Sequence, residues 1–350
     1  MKGISTGDWH FDALEKHFGD DAINRQVFEV EKMMKYAIAK AIPHFFINGD
    51  IANSPILSCG AWIALYHLLK KYDGLLNIYY IAGNHDFAER GKTSLDFLKV
   101  LCTNGTFKTV HIFLEPETRK IEDTYVNFCP FPVLEAPDTK RGALNMCHVE
   151  YNGALGDNGR KLRVKQEAEF TQPDKDFCVS GHIHTYQFLE TKRAVYAGSP
   201  YQMNFGESLP KGFIRFEAQS KKDHVHFDHR FVNGNPSFTL EQLVIKKTKE
   251  FSQLKKDDSI RYKLWIGDSV KVPQDLLSRF PNITGGVFDL ATKKKTESIV
   301  EREELKSHTF DLQFGLKKFL KQQGHSKKQV RDGISILQEA MSELGIARNF

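Results

Sequence analysis

The first hundred residues alternate short apolar runs with longer stretches of helical periodicity. Buried strands are predicted at the apolar runs 2–6, 44–47 and 78–81. Amphipathic helices are predicted at 22–42, 61–72 and 93–101, the last with Thr93 as its N-cap residue. In the first two helices we expect the core-facing residues Ile23, Val27, Val30, Met34, Ala37, Ile38 and Ala41, then Ile63, Leu65, Leu68 and Leu69. This order of elements predicts a largely buried sheet with helices packed against it, hence an α/β fold.

Further along the chain, strand patterns dominate. Strands are predicted at 110–114, 125–130, 144–148, 177–180 and 194–197, and a half-exposed antiparallel pair at 213–217 and 225–231. The polar stretch between His148 and Phe177 predicts a surface loop or a hairpin.

The composition changes beyond about residue 235. Residues 236–290 contain two strand patterns, at 238–245 and 259–266, and a helical pattern at 273–280, which predicts a small α+β accessory domain. Residues 291–306 are charged and nearly free of aromatics, so they predict a linker or a solvated helix. Residues 307–350 are helical in pattern, with a heptad-like stripe formed by Val330, Ile334, Leu337, Met341 and Leu344. We therefore expect a main domain over 1–235, the accessory domain, the linker and C-terminal helices.

Composition excludes some classes of protein. The chain has 350 residues, with 49 basic against 44 acidic side chains, and a net charge of +5 permits a polyanionic partner without requiring one. No apolar run reaches eighteen residues, which excludes a membrane-spanning segment, and the N-terminus lacks the apolar stretch of a signal peptide. Five scattered cysteines without a CxxC pair predict a reducing, cytoplasmic environment.

Five short polar motifs directly follow apolar runs. They are Asp8-Trp9-His10, Gly49-Asp50-Ile51-Ala52-Asn53, Gly83-Asn84-His85-Asp86, Cys147-His148 and Gly181-His182-Ile183-His184. Strand C-termini line one crevice of an open α/β sheet, and residues two apart in extended backbone, as in both DxH and HxH, project the same way. We expect the three motif glycines to permit sharp turns close to a ligand.

The side chains of these motifs point to metal chemistry. Aspartate, asparagine and histidine without a thiolate suit Mn²⁺, Fe²⁺ or Zn²⁺. The candidate ligands are too many for one ion but suffice for two. A carboxylate would bridge the two ions, which would lie about 3.5–4 Å apart. Taken alone, DxH is more typical of a cap or a hydrogen-bonded pair, Gly-Asp is more typical of a turn, and GHxH is ambiguous. Only the joint occurrence of the motifs favours metal binding.

The ordered set DxH, GDxxN, GNHD, H and GHxH resembles the calcineurin-like metallophosphoesterase superfamily, over about the first 215 residues. The resemblance implies an α/β metallophosphoesterase fold, a β-sandwich flanked by helices. Residues 196–207, YAGSPYQMNFGE, further resemble SbcD-type nucleases of phage or bacterial type. Those nucleases are subunits that partner an SMC-like ATPase in DNA recombination and repair.

The resemblance assigns roles to individual residues. One metal would be held by Asp8, His10, Asp50 and His184, and a second by Asn84, His148 and His182, with Asp50 as the bridge. His85 would contact the scissile phosphate and protonate the leaving oxygen, which helps because an alkoxide is a poor leaving group. The two ions, expected to be Mn²⁺, would supply the hydroxide nucleophile and neutralise phosphoryl charge. A homodimer through apolar residues of the early helices is also implied.

One position departs from the family pattern. Members often carry aspartate where Asn53 stands, and that acid can orient the motif histidine and raise its basicity. An amide accepts a hydrogen bond but brings no charge, so we expect the tuning of His85 to differ.

The motifs alone do not separate the possible substrates. Three features favour DNA: the glycine-serine-proline segment, the C-terminal region, and a basic cluster formed by Arg160, Lys161, Arg163 and Lys165. Such a basic cluster is equally typical of a solvated loop. The main hypothesis is a DNA exonuclease and endonuclease. Its C-terminal helices would dock on the ATPase, with Phe314 and Phe319 as anchors. The alternative for these helices is that they pack on their own domain. A small-molecule phosphodiesterase or phosphatase is the alternative function. A non-catalytic scaffold is disfavoured, because such a ligand cluster is costly to hold without a metal.

Overall fold

The computed structural model describes residues 1–88, 93–138, 142–157, 159–164 and 175–290. Its α-helices are α1 (Glu15–Phe18), α2 (Ala22–Ala39), α3 (Cys59–Tyr72), α4 (Ser94–Thr103) and α5 (Leu276–Arg279). Its strands are β1 (Lys2–Thr6), β2 (His44–Asn48), β3 (Asn77–Ile81), β4 (Val110–Phe113), β5 (Glu117–Ile121), β6 (Thr124–Cys129), β7 (Leu144–His148), β8 (Phe177–Gly181), β9 (Gln187–Leu189), β10 (Ala194–Tyr196), β11 (Gly212–Ser220), β12 (Val225–Asn233), β13 (Thr239–Ile245), β14 (Ile260–Ile266) and β15 (Val287–Asp289).

Twelve of these strands form two six-stranded sheets. The first has the order β12-β11-β1-β2-β3-β4, in which β1 to β4 are parallel and the predicted β11–β12 pair is antiparallel. The second has the order β5-β6-β7-β8-β10-β9, with four parallel strands between two antiparallel edge strands. Parallel strands in both sheets direct their C-terminal ends, and the loops that follow them, towards one edge.

The two sheets pack face to face through an aromatic layer. Phe46 of β2 stacks on Tyr79 of β3, and both lie near Phe128 of the second sheet, at ring distances of 6.4 and 5.7 Å. The opposite face of the first sheet is covered by α2, α3 and α4. The expected sandwich flanked by helices is confirmed, because each sheet buries an apolar face against the other.

The buried face of α2 differs from the predicted one. Ile38 is 44% exposed, and Ala41 follows the helix end with a φ of 51°, whereas Gln26 is fully buried. Gln26 occupies a core position because its amide donates to the backbone carbonyls of Trp9 and His10. In α3, Ile63 is also exposed. Apolar periodicity located both helices correctly but missed that one buried position serves a polar contact.

Other local predictions had mixed outcomes. Thr93 caps α4 as predicted, since its side chain accepts from the Leu95 amide while Asp96 accepts from the Thr93 amide. The helix predicted at 273–280 is reduced to the single turn of α5. Strands β5, β9 and β15 were missed because all three are short edge strands with polar or mixed sequences. All five cysteines are free thiols.

The last three strands form a parallel sheet of their own, β13-β14-β15. It joins the preceding part of the chain through Gln202, whose amide pairs with the backbone of Leu240, and residues 1–289 form one compact unit. The division into a main and an accessory domain stays a prediction. The linker at 291–306, the helices at 307–350, their heptad stripe and the anchors Phe314 and Phe319 lie outside the described residues. Within the described part of the chain, no helix has the length and apolarity needed to cross a bilayer.

Candidate metal centre

The predicted site residues all lie at or just beyond the C-terminal ends of parallel strands. Asp8 and His10 follow β1, Asp50 follows β2, Asn84 and His85 follow β3, His148 ends β7, and His182 and His184 follow β8. The first five therefore belong to the first sheet and the last three to the second. The structure brings both sets together in one cluster of shared contacts.

One group within the cluster consists of Asp8, His10 and His184, whose donor atoms lie within 4.8 Å of one another. The Oδ2 atom of Asp8 and the Nε2 atom of His10 are buried and have no hydrogen-bond partner among the described residues. Nε2 of His10 lies 3.6 Å from Oδ2 of Asp50, beyond hydrogen-bond distance. Buried polar atoms normally have partners, and a carboxylate oxygen and an imidazole nitrogen left free here fit a divalent cation.

A second group surrounds Asp50. Its Oδ2 atom lies 3.2 Å from Nε2 of His148, and Oδ1 of Asn84 lies 2.9 Å from that nitrogen and 2.9 Å from Nδ1 of His182. The Nδ1 atom of His148 donates to the backbone carbonyl of Asn48 at 2.8 Å, which directs Nε2 inward. Asp50 contributes to this group and also approaches His10, so its position suits the predicted bridging role. The assignment of all seven residues as metal ligands stays a prediction.

Four of the predicted ligands have left-handed backbone. The φ angles are 54° for Asp8, 42° for His10, 54° for Asp50 and 84° for His182. The expectation of extended backbone at DxH and HxH is therefore wrong, since sharp turns rather than strand alternation direct these side chains. A non-glycine residue held at positive φ costs about 1–3 kcal/mol, and such strain is concentrated at functional sites.

The motif glycines are required for two different reasons. Gly49 has a φ of 88° and makes the predicted sharp turn. Gly83 instead permits close approach, because a Cβ there would lie 2.1 Å from Oδ1 and 2.5 Å from the amide nitrogen of Asp50. Gly181 likewise leaves room for the backbone carbonyl of Asn48. The loops can touch only if these positions carry no side chain.

Asp86 supports the Asp50 loop, a role that the sequence did not reveal. Its buried carboxylate accepts from the amides of Asp50, Ala52 and Gly83 at 2.7, 3.0 and 2.9 Å, and from the Tyr80 hydroxyl. Burial, together with the nearby charge of Asp50, raises the pKa of Asp86 to about 6. Its place in the motif after β3 was the only sequence signal.

His85 lies at the exposed rim of the cluster. Its backbone amide donates to Oδ1 of Asp50 at 2.9 Å, and its Nδ1 atom lies 3.0 Å from the backbone carbonyl of Asn53. Its ring is perpendicular to that of His10, with 4.6 Å between centroids. Since a carbonyl only accepts, Nδ1 carries a proton and Nε2 is the nitrogen free for other partners. The bond is made by the backbone of residue 53 and so does not use the Asn53 side chain.

The electrostatics of the cluster favour a cation. Burial lowers the pKa of His10 to about 3, which leaves its imidazole neutral. Burial would also lower the pKa of His148, but the carboxylates of Asp50 and Asp8 raise it to about 9. Burial raises the pKa of Asp8, while at Asp50 it is outweighed by the imidazoles of His148 and His10, which hold that pKa well below its usual range. A proton on His148 thus neutralises carboxylates that a divalent ion would otherwise neutralise.

Three carboxylates outside the motifs contact the two GHxH histidines. Nε2 of His182 lies 2.9 Å from Oε1 of Glu150, and Nδ1 of His184 lies 2.9 Å from Oδ2 of Asp157 and 3.2 Å from Oε1 of Glu207. Metal-ligating histidines commonly have such carboxylate partners. Sequence reasoning missed all three, because no local pattern links them to a strand end.

The predicted basic cluster is partly described. Arg160, Lys161 and Arg163 belong to a loop closed by a bridge between Leu155 and Lys161, and the second and third side chains are exposed. Lys165 lies outside the described residues. The same loop carries Asp157, which ties it to His184. Contact between these basic residues and DNA stays a prediction.

Comparisons with known proteins find one matching family and solved structures that are only distantly similar to this chain. The model of a family described as "Calcineurin-like phosphoesterase" matches residues 1–186. None of the curated proteins matches the chain. Among solved structures, GAP50, titled the anchor in the inner membrane complex of Plasmodium, is 11% identical with a TM-score of 0.40, over 67% of this chain and 85% of its own. A single mutant of Vps29 from Entamoeba histolytica is 15% identical with a TM-score of 0.30, over 67% of this chain and 100% of its own.

Proposed function

This chain belongs to the calcineurin-like phosphoesterase family, and from that premise we propose that it is a two-metal DNA nuclease, acting as an exonuclease and an endonuclease. The observation that carries the proposal is the convergence of two groups of nitrogen and oxygen donors on the shared carboxylate of Asp50, with the exposed imidazole of His85 beside them. Phosphodiester hydrolysis needs both charge neutralisation and a proton for the leaving alkoxide.

The donors would hold two divalent ions, proposed to be Mn²⁺. Asp8, His10 and His184 would hold one, Asn84, His148 and His182 the other, and Asp50 both. When bound, such ions supply charge neutralisation at the phosphate and activation of water. Burial keeps His10 neutral, and the Asn48 carbonyl keeps Nδ1 of His148 protonated, so Nε2 of His148 is the nitrogen that would bind a metal once it has lost its proton.

His85 is proposed as the general acid. The Asn53 carbonyl holds the ring at Nδ1, and the Asp50 carboxylate holds the backbone amide, so Nε2 is the ring nitrogen left for a substrate. A protonated imidazole in that orientation donates from Nε2 to the oxygen that leaves the phosphate.

Two features support a DNA substrate over a small phosphoester. The loop with Arg160, Lys161 and Arg163 is anchored beside the metal centre through Asp157, so its exposed cations can contact phosphates that flank the scissile one. The segment at 196–207, which resembles the nuclease branch, also reaches the centre, because Glu207 contacts His184.

The partners are part of the proposal. The chain would act as the nuclease subunit of an SMC-like ATPase complex in recombination and repair, docking through residues 307–350. It would also form a homodimer, for which the helices α2, α3 and α4 offer the exposed side chains Phe28, Ile38, Ile63 and Phe97.

A Mn²⁺-dependent assay on single- and double-stranded DNA tests the proposal. The full chain, with and without its ATPase, is expected to cleave DNA and to hydrolyse bis-p-nitrophenyl phosphate, while a phosphomonoester serves as the control. Absence of DNA cleavage by the metal-loaded protein in both preparations would overturn the nuclease assignment. Turnover of a nucleotide or phosphoprotein without DNA cleavage would favour a small-molecule phosphodiesterase or phosphatase.

A further inference from the structure

His184 is attached to its surroundings at every polar atom of its backbone and at one ring nitrogen. Its amide donates to Oδ1 of Asp157 at 3.1 Å, and its carbonyl accepts from Nζ of Lys211 at 2.8 Å and from the Ser199 amide at 3.1 Å. Its Nδ1 atom faces the carboxylates of Asp157 and Glu207. These contacts leave Nε2 as the only ring nitrogen available to the donor group of Asp8 and His10.

Glu207 and Lys211 form a buried ion pair behind this histidine. Their side chains are each 1% exposed, and Oε2 of Glu207 lies 2.7 Å from Nζ of Lys211. The same ammonium donates to Oγ of Ser199 at 3.0 Å, and the same carboxylate accepts from Asn204 at 3.1 Å. The pair therefore has its charges satisfied on both sides.

Stability alone is a poor reason for such a pair. Removing two charges from water costs several kcal/mol per ion, and apolar residues of similar volume often stabilise a core equally well. Each member of this pair, however, also contacts His184, Glu207 at the ring and Lys211 at the backbone carbonyl. Apolar side chains could not make these polar contacts with His184.

We propose that Asp157, Glu207 and Lys211, here called the His184 cradle, are positioning residues that fix the His184 imidazole with Nδ1 protonated and Nε2 directed at the first metal. This inference rests on the proposed two-metal function. The carboxylates orient the ring and make Nε2 a better donor, while the ammonium holds the backbone from which the ring projects. His182 has a lighter support, since its carboxylate partner Glu150 is 43% exposed.

The decisive measurement is Mn²⁺ binding by the full chain, measured as stoichiometry and affinity in equilibrium dialysis. Wild type should bind two ions. Glu207→Ala and Lys211→Met should weaken one of the two sites by about 10–100-fold and leave the other unchanged, because only the group containing His184 loses its support. The Mn²⁺ affinity of that site in Glu207→Gln should lie between those of wild type and Glu207→Ala, since the glutamine amide oxygen still accepts from Nδ1 but brings no charge.

Electron paramagnetic resonance gives a readout that a purely structural role would not move. Two Mn²⁺ ions bridged by one carboxylate give a coupled spectrum, so at a Mn²⁺ concentration that fills both sites of wild type but only the unaffected site of a folded Glu207→Ala variant, the variant should show the hyperfine pattern of an isolated ion. The matched control is Glu29→Gln, which removes a buried carboxylate paired with Lys32 at 2.8 Å, away from the metal centre. It should keep both affinities and the coupled spectrum.

Asp157→Asn keeps the inference falsifiable if the buried variants fail to fold, because that side chain is 32% exposed. It should also weaken the same site, by less than Glu207→Gln does. Unchanged affinity at both sites in every folded cradle variant would overturn the inference. Two bound Mn²⁺ ions without DNA cleavage by wild type would instead overturn the proposed nuclease, while the effect of the cradle on metal binding would still be measured.

Discussion

His85 differs from the other histidines of the cluster because it is exposed, and its ring is held at Nδ1 by a backbone carbonyl. A group that protonates the leaving oxygen contributes about 10²–10⁴-fold to the rate. His85→Ala should therefore lower DNA cleavage by that factor, and turnover of bis-p-nitrophenyl phosphate by much less because nitrophenolate leaves without a proton, while both metals stay bound, as measured by elemental analysis. The exposed His226→Ala on β12 is the control and should match wild type. A loss of metal from His85→Ala would show that His85 is a ligand instead.

At Asn53, the backbone carbonyl rather than the side chain contacts His85. Because the carbonyl of residue 53, and not its amide side chain, faces Nδ1 of His85, Asn53→Ala should change turnover by no more than roughly twofold, the effect of about 0.5 kcal/mol at an exposed position. The comparison of initial rates at saturating Mn²⁺ measures this. A drop of tenfold or more would mean that the side chain tunes the acid after all.

The proposed metal ligands also predict a pH dependence of Mn²⁺ binding. In the metal-free protein the pKa of His148 is raised to about 9 and that of His184 to about 10; in both, nearby carboxylates outweigh burial. Below those values each imidazole holds a proton that a metal must displace. Apparent Mn²⁺ affinity should consequently fall as pH falls, by about tenfold per pH unit for each proton released. Calorimetric titration between about pH 6 and pH 9 checks this, and a pH-independent affinity would contradict it.

At the scale of elements, the turns after β2 and β3 depend on each other. A methyl group at Gly83 would lie 2.1 Å from Oδ1 of Asp50, so Gly83→Ala must displace the shared carboxylate or the turn. We expect it to destabilise the protein by about 1–3 kcal/mol and to lower metal content at both groups. Gly60→Ala in α3 is the control: the nearest atom to its Cβ is 3.9 Å away, and alanine favours a helix. Thermal unfolding and elemental analysis measure both effects.

The same elements explain which parts of the site the sequence could predict. Asp50 and His148 were found because each stands at the end of an apolar run, and strand ends of a parallel sheet share one edge. Asp86 and Glu207 were not, because their roles arise from contacts between loops that no local periodicity encodes. The α/β class followed from strand and helix patterns and the sandwich from the family resemblance, whereas neither predicted the left-handed turns at Asp8 and His182.

For the whole molecule, the important fact is that the donor cluster spans two sheets. The first sheet supplies Asp8, His10, Asp50 and Asn84, and the second supplies His148, His182 and His184. A metal bound by both sets joins them in the folded state and has no equivalent site in the unfolded chain. Metal binding should therefore stabilise the entire compact unit and not just a loop.

This argument predicts a thermal shift. At a Mn²⁺ concentration of 100 times the dissociation constant, one site adds about 2.7 kcal/mol to the free energy of unfolding, which raises the Tm of a unit of this size by roughly 4–5 °C. Asp50→Ala should lose most of the shift because Asp50 lies in the second donor group and approaches His10 of the first, where it is proposed to bridge, whereas His85→Ala should retain it. Scanning calorimetry with and without chelator measures the shift. An equal shift in wild type and Asp50→Ala would contradict the proposed bridging role of that carboxylate.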